Sequence, residues 1–141
     1  MLATTENTGF LLAKAAQRWN EVLAERFRRE GYGDVRPAYG SVLLPLFEED
    51  GQRIGSLTMR ARVSKQTMTS LIRQMERDRL VERRRDPTDG RATTVVLTRR
   101  GRAFQPVAER TLAELDELVA HTVPRPALEI TRAVLKELMR L

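Results

Sequence analysis

A mainly α-helical fold with one small β-hairpin is predicted by three features of the sequence. Apolar residues recur at three- and four-residue steps along most of the chain. Two short helical stretches are separated by only Arg62, Val63 and Ser64, and a run rich in Thr and Val follows the turn-forming Asp86-Pro87-Thr88-Asp89-Gly90. At 141 residues the chain is long enough for one domain with a core and short for two independent ones.

Taken in order, Leu12, Ala16, Trp19, Leu23 and Phe27 mark one face of a first helix over 10–27, with Asn7 or Thr8 as its cap and Gly31 and Gly33 ending it. Pro37, whose fixed φ suits a first helical turn, opens a second helix carrying Tyr39, Val42, Leu43, Leu46 and Phe47. Pro45 is expected to kink that helix and Asp50-Gly51 to close it. A short helix over 54–61 and a stronger one over 65–78 follow, and two helices so closely joined form a helix-turn-helix unit. Residues 80–85 and 92–98 read as the two strands of a hairpin with a charged tip. Thr98 then caps a helix running through Val123, unless Pro106 marks its true start. Pro124 and Pro126 break the chain before a last amphipathic helix showing Leu128, Val134, Leu135, Leu138 and Leu141.

Composition narrows the function classes. Hydrophobic residues make up 41% and charged residues 31%, as in a soluble globular protein, and no apolar run approaches the roughly 20 residues of a membrane span. The segment 1–9 lacks the basic start and apolar centre of a signal peptide, so a cytoplasmic location is expected. With no cysteine, disulfides, thiolate zinc sites and thiol-based redox sensing are excluded. Charge is concentrated rather than spread. Between Arg60 and Arg102 thirteen basic residues face five acidic ones, a net of +8, while the rest of the chain nets −2 against a total of +6. A polyanion is the natural partner of such a segment, because each phosphate neutralised releases condensed counterions; a solvated basic face is the alternative.

Within that segment Leu57, Ala61 and Val63 supply one apolar seam, and Met68, Leu71, Ile72 and Met75 the facing one. Ser64 stands at the N-cap position. With the apolar residues turned inward, Lys65, Gln66, Thr67, Thr69, Ser70, Arg73 and Gln74 fall on or near the outer face; these residue types read base edges and phosphates. No acid precedes Glu76, although acids are favoured at helix starts, so something other than helix stability sets this face. Arg83, Arg84 and Arg85 enter the hairpin, Asp86 and Asp89 shape its tip and Arg91 leaves it. A slender hairpin tipped with arginine suits the negative potential of a narrow minor groove.

The motifs V-S-K-Q-T opening the second short helix, L-V-E-R-R entering the hairpin, D-P-T-D-G-R-A at its tip and L-T-R-R-G-R-A after it resemble the MarR family of regulators. The resemblance covers nearly the whole chain, with its specific motifs between Leu57 and Ala103. It implies a single domain over 1–141: a winged helix-turn-helix DNA-binding lobe at about 37–103, flanked by N- and C-terminal dimerisation helices at about 8–31 and 104–141. It further implies that Ser64 to Gln74 enter the major groove and Arg91 the minor groove, with Asp89 holding Arg91 and with Arg84 and Arg85 beside it. The implied function is that of a homodimeric transcription regulator, a repressor, at a pseudo-palindromic operator in double-stranded DNA. A small effector, often aromatic or phenolic, is implied between the dimer region and the DNA-binding lobe. Two positions depart from the pattern: Arg62 and Arg79 stand where the family usually places glycine.

Other residues are weighed against plainer roles. Trp19, Phe27 and Tyr39 are candidates for an effector pocket, with core or dimer interface as the commoner use of such aromatics. His121 is the only histidine and has no ligand cluster beside it, so no metal or other cofactor is expected. Glu48, Glu49 and Asp50 read as a solvated helix end, and no catalytic set or phosphate loop is present, so no enzyme is expected. A winged-helix protein-interaction adaptor is the alternative to a DNA binder, though an adaptor does not need the +8 segment.

Overall fold

Helix α1, Thr8–Arg29, begins where Asn7 accepts a hydrogen bond from the Phe10 N–H at 2.9 Å. It ends in Gly31 at φ +87°, with Tyr32 N–H returning to the Phe27 carbonyl and Gly31 N–H to that of Arg28, the paired bonds of a Schellman turn. Residues 4–141 are described by the computed structural model, so the reading of the N-terminal segment falls partly outside the described residues. A 3-10 turn, Pro37–Tyr39, leads into α2, Gly40–Glu48, which buries Val42, Leu43 and Leu46 and continues past Pro45 to its end.

Then come β1 (Gln52–Arg53), α3 (Ile54–Ala61), α4 (Lys65–Arg77), β2 (Val81–Arg85), β3 (Thr93–Leu97), α5 (Arg99–Thr122) and α6 (Arg125–Leu138). The expected hairpin is therefore part of a three-stranded antiparallel sheet in the order β1-β3-β2. β1 pairs Gln52 with Val95 and Arg53 with Thr94, while β2 pairs Val81 with Leu97 through to Arg85 with Thr93. Thr98 caps α5 by accepting from Gly101 N–H at 3.0 Å, so Pro106 lies inside the helix and does not begin it. Pro126 likewise belongs to the first turn of α6, leaving Pro124 as the break.

The core gathers around Tyr39, Leu46, Leu57, Met68, Ile72, Met75, Val95 and Phe104, all essentially inaccessible to solvent. Phe27 meets Phe104 edge-on, with ring centres 4.9 Å apart, and this contact joins α1 to α5. The ion pairs Arg26–Glu114 and Arg110–Glu30 bridge the same two helices. Far from this core, the first half of α1 and nearly all of α6 lie exposed, including Phe10, Leu11, Ile130, Val134 and Leu135. Among the described residues no helix is long and apolar enough to cross a membrane.

Candidate nucleic-acid interface

Helix α4 is amphipathic, and its two faces are cleanly divided. Met68, Leu71, Ile72 and Met75 are buried against the core, whereas Ser64, Lys65, Gln66, Thr67, Thr69, Ser70 and Arg73 are exposed and Gln74 is half-buried. Ser64 Oγ accepts from Thr67 N–H at 3.0 Å, which fixes the first turn and spends the Ser64 side chain on the cap. Thr69 donates its hydroxyl to the Lys65 carbonyl, and Gln74 donates to Ser70 Oγ at 3.2 Å. The side chains of Lys65, Gln66 and Arg73 make no hydrogen bond or ion pair with any described residue, so the helix presents two cations and one amide outward.

At its far end α4 closes in a second Schellman turn. Leu80 N–H returns to Met75 O and Arg79 N–H to Glu76 O, with Arg79 at φ +60°. Arg62, in the turn before α4, is also left-handed, at φ +56° and ψ +42°. Both positions where glycine was expected by resemblance thus have the backbone that glycine favours, occupied by arginine.

The wing is held from three sides. Asp86 is buried at the base of the loop and accepts from Thr88 N–H (2.8 Å), Thr88 Oγ1 (2.7 Å) and Arg53 Nε (2.7 Å). Those bonds from Thr88, with the Arg53 cation beside it, hold its carboxyl down at about 2. Asp89 accepts from the backbone N–H of Arg91 at 3.0 Å; the link between these residues is through the main chain, and the Arg91 guanidinium extends into solvent. Of the arginines entering the wing, Arg83 pairs with Glu76 of α4 at 2.9 Å and Arg84 with Glu82, while Arg85 has no partner among the described residues. The Arg83–Glu76 pair ties the wing directly to α4, a link that no local pattern announces. Asp50 also proves structural rather than merely solvated, since its Oδ1 accepts from Gly51 N–H and from Leu97 N–H of β3.

A cavity of about 260 Å³ opens between α1, α2 and α5, lined mainly by apolar side chains, including Trp19, Leu23, Phe27, Leu43 and Phe104, with Arg36 at its edge. Of the three aromatics named as effector-pocket candidates, Trp19 and Phe27 line this cavity. Tyr39 does not line it. That ring is buried on the other side of the corner, its hydroxyl donating to Asp78 Oδ2 at 2.6 Å, and burial, aided by that bond, pushes its phenol up to about 12. Among the described residues no group of three or more His, Cys, Asp or Glu side chains is arranged to hold a metal ion.

Two short helices joined through a tight turn, followed by a sheet that ends in a basic finger, define a winged helix-turn-helix domain. Residues 37–93 match the sequence model of the MarR family. The whole chain has the fold of solved regulators. It superposes on a probable transcriptional regulator from Pseudomonas aeruginosa with a TM-score of 0.84 at 24% identity, covering 96% of this chain and 99% of that one. The PcaV transcriptional regulator from Streptomyces coelicolor, solved in complex with its natural ligand, gives 0.82 at 16% identity over 99% and 96%. The transcriptional repressor CouR, solved bound to a 23-mer DNA duplex, gives 0.81 at 22% identity over 99% of each chain. No curated relative matches the chain.

Proposed function

We propose that this protein is a homodimeric regulator of transcription that binds double-stranded DNA, with α4 in the major groove and the wing in the adjacent minor groove. The observation that carries this reading is the outer face of α4: no acid precedes Glu76, and Lys65, Gln66 and Arg73 stand unpaired there among the described residues. Cations so placed neutralise phosphates, and a glutamine amide can pair with a base edge. Arg85 and Arg91, with no side-chain partners among the described residues, serve the wing in the same way. The match of residues 37–93 to the MarR family model and the likeness to CouR, a repressor solved on DNA, support the reading.

Dimerisation follows from surface left uncovered. The exposed Phe10 and Leu11 of α1 and Ile130, Val134 and Leu135 of α6 form apolar faces that a second copy would bury. Two such chains present two α4 helices to a pseudo-palindrome with half-sites roughly 34 Å apart. The regulator acts as a repressor in the cytoplasm and is released by a small, largely apolar, aromatic effector in the Trp19–Phe27 cavity, as the likeness to the ligand-bound PcaV suggests. The test is titration of duplex DNA recovered by selection of bound genomic fragments, repeated across salt concentrations. Affinity should fall with a log–log slope on the order of −6 to −10. Weak binding at low salt that stays flat as salt rises would overturn the reading.

A further inference from the structure

Glu76 and Arg83 stand on either side of the turn that joins α4 to the wing. Glu76 lies in the last turn of α4, and Arg83 is the middle residue of β2. Because Arg83 pairs with Val95, its side chain shares the inner face of the sheet with Val81 and Val95, both buried. Arg84 falls on the opposite face, beside Glu82. On the inner face Arg83 Nε comes within 2.9 Å of Glu76 Oε1. That oxygen is shut off from solvent and has no hydrogen-bond partner, so among the described residues the Arg83 cation alone compensates it.

The two neighbouring arginines are therefore not equivalent. The Arg84–Glu82 pair is exposed on both sides, and such pairs contribute little, so Arg84 can exchange its partner for a phosphate. Arg83 cannot, since its departure would leave a carboxylate oxygen enclosed without a counter-charge. The core fixes only the base of the wing, through Val81, Val95 and Leu97; from Arg83 outward β2 is exposed. Two ties flank that outer half: Arg53 holds Asp86 from the β1 side, and Glu76 holds Arg83 from the α4 side. A strand advances about 3.3 Å per residue, so the tip at Asp89 and Arg91 lies well beyond the Glu76 tie. A small rotation at Arg83 becomes a larger displacement at Arg91.

We infer that Glu76 and Arg83 form a brace that aims the wing, and that Arg83 is a positioning residue acting through Arg91 and not a DNA contact. The inference rests on the reading of the wing as a DNA-binding element. With the brace intact, the wing tip meets the groove next to the one that α4 occupies. Without it α4 still binds, but the Arg91 cation is no longer held where it reaches the duplex.

Two substitutions break the brace with opposite changes of charge, since Glu76→Gln removes an acid and Arg83→Gln removes a base. Each is combined with Arg91→Ala in the full-length protein, and affinity for the selected genomic duplex is measured at one fixed salt concentration. The fold-loss that Arg91→Ala causes in the parent should shrink by about threefold or more in both backgrounds. A shared effect of two opposite charge changes is not one of electrostatic attraction. Gln66→Ala, at the far end of α4, should instead cost the same in every background to within about twofold. If Glu76→Gln does not fold, Arg83→Gln decides, because its side chain is nearly half exposed. An equal cost of Arg91→Ala in the parent and in both backgrounds would overturn the brace, as would an equal shrinkage for Gln66→Ala. A parent in which Arg91→Ala costs nothing would instead remove the reading of the wing, and the brace with it.

Discussion

Gly101 and Leu80 are in contact through the space where a side chain would begin: a Cβ placed on Gly101 would lie 2.2 Å from the Leu80 carbonyl oxygen. That oxygen also accepts from Thr98 N–H at 3.0 Å, so it anchors the start of α5 to the end of the α4 turn and cannot retreat cheaply. Alanine is intrinsically better than glycine in a helix by about 1 kcal/mol, yet the overlap here is with backbone rather than a flexible side chain. Gly101→Ala is expected to destabilise the protein by about 2–3 kcal/mol despite the propensity gain. Denaturant unfolding checks it, and a variant as stable as the parent would show that α5 does not sit this close.

The two Schellman turns form a natural pair of controls. Gly31 ends α1 and Arg79 ends α4 with the same hydrogen bonds and the same left-handed backbone. Arg79→Gly should therefore be neutral or stabilising by up to about 1 kcal/mol, and Gly31→Ala destabilising by a similar amount. Arg62→Gly follows the same rule but also removes a donor to the Met139 carbonyl, so its gain should be smaller. Melting temperatures of the three variants decide the point; a clear loss in Arg79→Gly would mean that the arginine side chain contributes more than its backbone strain costs.

What could be read from the sequence follows from what is local. The periodicity of Met68, Leu71, Ile72 and Met75 fixed the buried face of α4, and by subtraction the exposed one, because an amphipathic helix leaves little choice. β1 escaped because two residues, Gln52 and Arg53, are too few to show alternation, and their pairing with β3 bridges about forty intervening residues. The same holds for Arg53–Asp86, Arg83–Glu76 and Tyr39–Asp78, whose partners meet only after the chain has folded. Tyr39 looked like a pocket residue since burial of an aromatic is legible, whereas the side of the corner to which it turns is not.

Asp86 is expected to order the wing. Its carboxyl is held at about 2, below the ordinary 3.8, so its contribution is complete above the ordinary value and is lost as pH falls through about 2. The wing should therefore stay ordered at pH 4. Asp86→Ala frees Thr88 and Arg53 together, and trypsin should cut the wing after Arg85 or Arg91 on the order of tenfold faster, with little change in global melting. Equal cleavage of variant and parent would place the ordering elsewhere.

Tyr39 supplies the opposite case at alkaline pH. Its phenol is raised from 10 to about 12 by burial and by Asp78, so its stabilising effect is fully present below pH 10 and is lost as pH rises through about 12. Two pH units correspond to at most about 2–3 kcal/mol. Urea unfolding at pH 9 and pH 11 should show the wild type losing more stability than Tyr39→Phe, since other ionisable groups contribute to both alike. Parallel losses would mean that the buried hydroxyl does not govern the alkaline limb.

The division of labour between wing and helix gives the most direct functional prediction. The Arg91 side chain is exposed and meets no described partner, and its main chain is fixed by Asp89, so its cation is aimed without being neutralised. A charge used on phosphate contributes alike on every sequence and one in the minor groove varies only with groove width, so Arg91→Ala should weaken binding to all duplexes of similar groove width roughly equally and reduce the magnitude of the salt slope by about 1. Gln66 and Thr67 sit in the first turn of α4, where an amide or a hydroxyl that reads a base edge discriminates by about 1–3 kcal/mol per base pair. Gln66→Ala should therefore leave the salt slope nearly unchanged while flattening the preference between the selected operator and variants altered at one position in each half-site. Competition titrations with both proteins on the same panel separate the two behaviours. If Arg91→Ala also re-ranks the operators, the wing reads sequence and not only backbone.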